Sequence, residues 1–332
     1  MQRRCIALLI AAVFAAALFG CGKTAETNKT ESREGLSVVT TLFYQYDFAR
    51  TILGEQGTAT LLLRPGQESH SYEPTPADVI KIQNADVFIY NGGVAETWVE
   101  KVLEGIDTDE VKVICMMDCI DVVEEEIVEG MENDHEHEED HDHEAEDHDH
   151  EEHEGGSEYD EHIWTSPVNA QKLVSFIAAA IGEADAKHQD DYNARSEEYI
   201  AELKELDARF REVVAGAKRK TLVFGDRFPL RYFVEEYGLS YYAAFPGCST
   251  ETEPGAGTIA FLTNEIQDEG IPVVYYLELS NEKIADTLCE NTGAEKLEFH
   301  SCHNVTQEEI DSGATYLSLM EGNVINLEKG LE

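Results

Sequence analysis

Residues 37 to 90 read SVVTTLFYQYDFARTILGEQGTATLLLRPGQESHSYEPTPADVIKIQNADVFIY, and the order of patterns in this stretch decides the fold. Short β-branched runs at SVVTTL (37–42), TATLLL (58–63) and DVFIY (86–90) alternate with helix-forming stretches near Tyr44 to Gly54 and over Pro76 to Asn84. A further helical stretch follows near Glu96 to Gly105. Strand and helix in alternation predict a parallel sheet with helices packed on its faces. The same grammar restarts at KTLVF (220–224) and continues through LSYYAAF (239–245), PVVYYL (272–277) and KLEFH (296–300), with helices between them. The expectation is an α/β protein of two similar lobes.

Between the lobes, residues 168 to 217 contain no proline, and helix formers dominate from Lys187 to Val214. One long helix is expected to join the lobes. About 28 residues of helix would be roughly 42 Å long, a stiff spine that limits hinging. The expected division is a leader over 1–20, a tether over 21–35, an N-terminal lobe over 36–167, a helical link over 168–217 and a C-terminal lobe over 218–332.

Ahead of the first lobe, Arg3 and Arg4 precede an apolar run from Ile6 to Phe19 that closes on Gly20-Cys21. That order reads as a signal peptide, too short for a membrane-spanning helix, with a lipobox-like end at which Cys21 would carry lipid. The expected protein is extracytoplasmic, water-soluble and anchored to the membrane by that lipid. With 24 Lys+Arg against 68 Asp+Glu, the net charge of −44 argues against nucleic acid as a partner and favours cations. A monomer is expected. Leaving aside Cys5 and Cys21, the cysteines are Cys115, Cys119, Cys248, Cys289 and Cys302, an odd set for an oxidising compartment. They lack a paired CxxC pattern, which argues against a zinc finger, and a Cys248–Cys302 disulfide is one possible pairing.

A low-complexity segment over 132–158 interrupts the first lobe. From Glu132 to Glu154 it holds seven histidines and fourteen acidic residues with no Lys or Arg, so it cannot form a core and reads as a disordered surface loop. A merely solvating run has no need of His135, His137, His141, His143, His148, His150 and His153, and imidazole is the usual ligand for zinc, copper and nickel. Without fixed geometry, this tract is expected to capture metal rather than select it. The selective site must then lie in the lobes.

Two histidines qualify there. His70, in RPGQESHSYEPTPAD (64–78), lies on a loop at the carboxyl end of the first sheet, the edge where α/β folds bind ligands. His162, in DEHIWTSPVNA (160–170), sits where the acidic loop returns to ordered chain. A lone histidine is more often structural than ligating, but two at corresponding edges with a metal-grasping tract beside one of them favour ligation.

These segments resemble the PG-x-x-x-HSYEPTPxD and H-x-W-xSP motifs of ZnuA-like and TroA-like metal-binding lipoproteins, the cluster A-I components of ABC importers. The resemblance runs from about residue 36 to the C-terminus. It implies two α/β lobes joined by a long helix, with zinc or manganese in the cleft between them. It also implies a third ligand at the end of the first strand of the C-terminal lobe and an acidic fourth near the end of the chain. Here the sequence departs: Gly225 falls at the third position with Asp226 beside it, and the fourth is replaced by KLEFHSCHNVT (296–306). The expected set is His70, His162, Asp226 and His300, with Glu278, Cys302 and His303 as alternatives. Asp226 could instead cap a helix, and Cys302 could ligate as a thiolate.

Three nitrogens and one carboxylate would suit zinc better than manganese. The function this implies is a binding protein that captures zinc and hands it to a permease driven by an ATPase; the runners-up are a manganese-binding counterpart and a surface adhesin. Outside the low-complexity tract the sequence contains no HExxH, it has no GxSxG or GxxxxGK[ST], and a site closed by four protein ligands leaves no position for a substrate, so an enzyme is not expected.

Overall fold

Each β-branched run becomes a strand, and the two sets assemble with one topology. The computed structural model describes residues 35–131, 159–247, 249 and 253–332. Strands β1 (Leu36–Thr40), β2 (Gly57–Leu61), β3 (Val87–Tyr90) and β4 (Lys112–Cys115) form a parallel sheet in the order β2-β1-β3-β4. Strands β5 (Thr221–Phe228), β6 (Ser240–Pro246), β7 (Val273–Tyr276) and β8 (Glu295–Glu298) repeat that order as β6-β5-β7-β8, again all parallel. Val87, Phe88 and Ile89 of β3 are all buried, as a strand covered by helices on both faces requires.

Helices α1 (Phe43–Leu53), α2 (Pro76–Gln83) and α3 (Trp98–Gly105) serve the first sheet. Helices α6 (Arg231–Tyr237), α7 (Ala256–Glu269), α8 (Lys283–Thr292), α9 (Gln307–Ser312) and α10 (Tyr316–Leu331) serve the second. The link is two helices rather than one, α4 (Pro167–Ala184) and the 28-residue spine α5 (Gln189–Gly216). The break falls at Asp185, whose φ of −134° and ψ of 75° leave the helical region. Its carboxylate accepts hydrogen bonds from the Tyr192 hydroxyl and, at 2.6 Å, the His188 ring, which secures the turn between the helices. Among the described residues no helix is long and apolar enough to cross a membrane.

One hydrophobic cluster runs through both lobes, and a second lies within the C-terminal lobe. Phe48, Trp164, Tyr199, Phe224 and Tyr316 belong to the same buried cluster, and complete burial of each such side chain stabilises by about 1.5–3 kcal/mol. Tyr44 stacks on Trp164 with ring centroids 4.6 Å apart, and Phe48 packs edge-on to Tyr199 and Tyr316. Asp47 of α1 is buried at the centre of the junction, accepting hydrogen bonds from the Tyr199 hydroxyl of the spine at 2.8 Å and the Tyr316 N–H of α10 at 2.9 Å. The carboxyl ends of both sheets face the cleft that this junction spans.

Candidate metal centre

The loop after β2 carries His70, and its geometry is local chemistry written in the motif. Thr75 and Asp78 form a reciprocal capping box, with Pro76 in the first turn, so PTPAD starts α2 and ends the loop. The other side of the loop is held by the C-terminal lobe: the Asn304 amide donates to the carbonyls of Arg64 and Gln67 at 2.9 and 2.7 Å. In HIWTSP, Ser166 caps α4 by accepting from the Val168 and Asn169 N–H groups, and Pro167 takes the first helical position. Buried Trp164 anchors the segment by donating its indole N–H to the Ser301 carbonyl at 2.8 Å. His162 stands just before this anchored turn.

His70, His162 and His303 converge. One ligand atom from each lies within 4.8 Å of the other two. His303 comes from the turn after β8, so the trio draws on both lobes. The Asp160 carboxylate lies 3.1 Å from Nδ1 of His162 and accepts the His162 backbone N–H at 2.8 Å. A carboxylate on one ring nitrogen orients the other toward a metal. Oε1 of Glu161 lies 3.8 Å from Nδ1 of His70.

Electrostatics leave donors ready. Burial, and then repulsion from His162, lowers the pKa of His70 to about 4. Burial, His162 and His70 push His303 well below the usual histidine value. Burial also opposes the charge on His162, but Asp160 and Glu161 outweigh it and raise its pKa. Two of the three rings are therefore neutral lone-pair donors at physiological pH.

The other expected ligands are engaged by other partners. Asp226 accepts the Arg227 N–H on Oδ1 at 2.9 Å and the Leu277 N–H on Oδ2 at 3.2 Å, tying the ends of β5 and β7 together. Gly225 cannot be replaced by a ligand, because a Cβ there would lie 2.6 Å from Cα of Ala285 in α8. His300 faces inward; its Nδ1 accepts the Cys302 N–H at 2.9 Å, its Nε2 lies 3.5 Å from Glu309, and its backbone is held on both sides by Asn323. Glu278 is committed to the His303 turn, accepting from the Ser301 N–H at 2.7 Å, the Ser301 hydroxyl at 2.5 Å and the His303 N–H at 3.3 Å.

Cys302 is a buried free thiol, so the Cys248–Cys302 pairing is not made. Its φ of 60° turns the chain so that residues 300 and 303 face different ways, and burial pushes the thiol up to about 11, far from a thiolate. Cys248, Cys21 and the tract histidines His135, His137, His141, His143, His148, His150 and His153 lie outside the described residues. The sequence reading ranked His303 below His300. Only the turn geometry, visible in hindsight as the S-C-H-N step after a strand, separates the two.

Comparison with known proteins agrees with this architecture. A family model described as "ZnuA: Zinc-uptake complex component A periplasmic" matches residues 38–330. The chain is 34% identical over 312 residues to the high-affinity zinc uptake system protein ZnuA of Bacillus subtilis, covering 94% of this chain and 92% of that one. It is 32% identical over 327 residues to the zinc-binding lipoprotein AdcA of Streptococcus pneumoniae, covering 98% of this chain but only 60% of that longer protein. Among solved structures, the Zn(II)-bound ZnuA-like domain of S. pneumoniae AdcA superposes with a TM-score of 0.71 at 29% identity, over 90% of this chain and 99% of that one.

Proposed function

The chain belongs to the ZnuA family of zinc-uptake components, and from that premise we propose that it captures Zn(II) between its lobes and delivers it to the membrane permease of an ABC importer powered by a partner ATPase. The observation that carries this reading is the convergence of His70, His162 and His303, drawn from both lobes, to within 4.8 Å of one another. Zinc–nitrogen bonds of about 2.0–2.1 Å fit such a trio after a small inward movement. An all-nitrogen donor set favours zinc over manganese, which prefers oxygen. The role is capture and release, not catalysis.

Asp226 and His300 leave the ligand set in this reading, and His303 enters it. Residues 36–167 and 218–332 act as the two jaws, with residues 168–217 as the frame between them. The protein works outside the cytoplasm as a lipoprotein; Cys21 as the lipid-bearing residue accounts for its retention at the membrane, and the tract over 132–158 gathers zinc near the jaws.

The deciding experiment is calorimetric titration with zinc and manganese of protein lacking residues 132–154, beside a His70→Ala, His162→Ala double variant. One tight zinc site per chain should survive the deletion and vanish in the double variant. If tight binding disappears with the tract alone, the cleft has another task.

A further inference from the structure

The cleft lacks a donor where the family resemblance expects one, and a cavity beside that position has a defined lining. Strand β5 reaches the cleft at Gly225, where packing against Ala285 forbids a side chain. The carboxylate of Asp226 is engaged by the N–H groups of Arg227 and Leu277. What β5 supplies to the cleft is therefore a cation, Arg227.

In front of Gly225 lies a cavity of about 370 Å³, bordered by His70, Ser71, Gly225, Arg227, Ser280 and Asn281. It shares His70 and Arg227 with a smaller space of about 40 Å³ against which all three histidines lie, enough for an ion and little more. The larger cavity is thus an antechamber to the trio.

An imidazole that ligates a metal does so as a neutral donor. A divalent ion held by three such rings alone keeps its full charge and an open coordination position, so an anionic fourth donor is favoured. Arg227 stands at the shared wall, with one terminal nitrogen 3.1 Å from Oε2 of Glu68 on the opposite lobe. A guanidinium carries five N–H donors in a planar fork that matches a carboxylate, and Ser71, Ser280 and Asn281 add polar groups along the same wall. Glu68 and Asp226 also line this cavity, so an anion seated there needs the metal and Arg227 together to offset its charge.

We propose that the cargo is held as a metal–carboxylate unit, in which the ion on His70, His162 and His303 takes its fourth ligand from a small carboxylic acid seated in the antechamber against Arg227. This rests on the zinc-capture reading and names the form in which the metal is bound. Organic acids that chelate zinc outside the cell would then assist loading instead of competing with it.

The test loads the full chain with one equivalent of Co(II), so that the tightest site fills first, and titrates citrate while recording the visible absorption bands, with acetate in a parallel arm. A saturable band shift with cobalt retained is expected, weakened about tenfold or more in Arg227→Gln and partly kept in Arg227→Lys, which preserves charge but not the fork. A shift with acetate as well as citrate assigns a simple carboxylate; a shift with citrate alone assigns a chelating one. Thermal melting of each loaded variant shows that it is folded. No shift, a shift equal in wild type and Arg227→Gln, or equal stripping of cobalt from all variants overturns the proposal. A His70→Ala, His162→Ala protein that still gives the wild-type cobalt spectrum overturns the zinc-capture reading itself, a different result from any of these.

Discussion

His300 and His303 sit three positions apart in one short turn and face in different directions. The left-handed Cys302 between them turns His303 toward the cleft and His300 toward Glu309 and Asn323. Replacing His303 by Ala should weaken zinc binding by about 100-fold or more, since in the proposed site it removes a direct ligand. Replacing His300 by Ala should leave a zinc site but lower stability by about 1–3 kcal/mol, because it leaves buried partners unsatisfied. Calorimetry and thermal melting on both variants separate the two roles.

Glu96 makes a second residue-level prediction. It is buried, accepts the backbone N–H groups of Asn91 and Gly92 at 2.6 and 2.9 Å, and has a pKa raised by burial from 4.5 to about 7. The folded chain therefore holds this proton more tightly than the unfolded chain. Its stabilising contribution is complete below pH 4.5 and is lost as pH rises toward 7, a cost of about 3 kcal/mol. Glu96→Gln should accordingly melt at a higher temperature than wild type at pH 8 and at nearly the same temperature near pH 4.

At the scale of the element, signals local to the chain were legible and packing partners were not. The capping box at Thr75–Asp78 and the Ser166-Pro167 start of α4 are carried by neighbouring residues, so each can be read from sequence. The interruption at Asp185 is the exception: its partners His188 and Tyr192 are close in the chain, but helix formers on both sides and the lack of a proline mask the break. At Gly225 the packing partner decides: its lack of a side chain looks like a lost ligand until α8 is seen lying against it. Restoring a ligand by Gly225→His should thus fail to tighten zinc binding and should cost about 1–3 kcal/mol through overpacking, lowering the melting temperature by several degrees. Glu278→Gln keeps the shape but weakens the grip on Ser301 and His303, and should reduce zinc affinity by about tenfold or more while leaving the fold intact.

Across the whole molecule, the lobes are two in topology but joined by a hydrophobic cluster that runs through both. The Tyr44–Trp164 stack, the Phe48–Tyr199–Tyr316 contacts and buried Asp47 bind α1, α5 and α10 together. Opening the lobes like a hinge would expose this core, so zinc should leave the radius of gyration in small-angle scattering nearly unchanged, with the adjustment confined to the His70 loop and the His303 turn. By itself the sequence determined the alternating parallel architecture, the spine and two of the three converging histidines, because strand and helix periodicity, caps and loop motifs are encoded by residues close together in the chain. Only the tertiary structure decided the third histidine, the duties of Asp226 and Glu278, the free state of Cys302 and the antechamber beside Arg227. Those depend on backbone twist and on contacts between residues far apart in sequence, which no local pattern records.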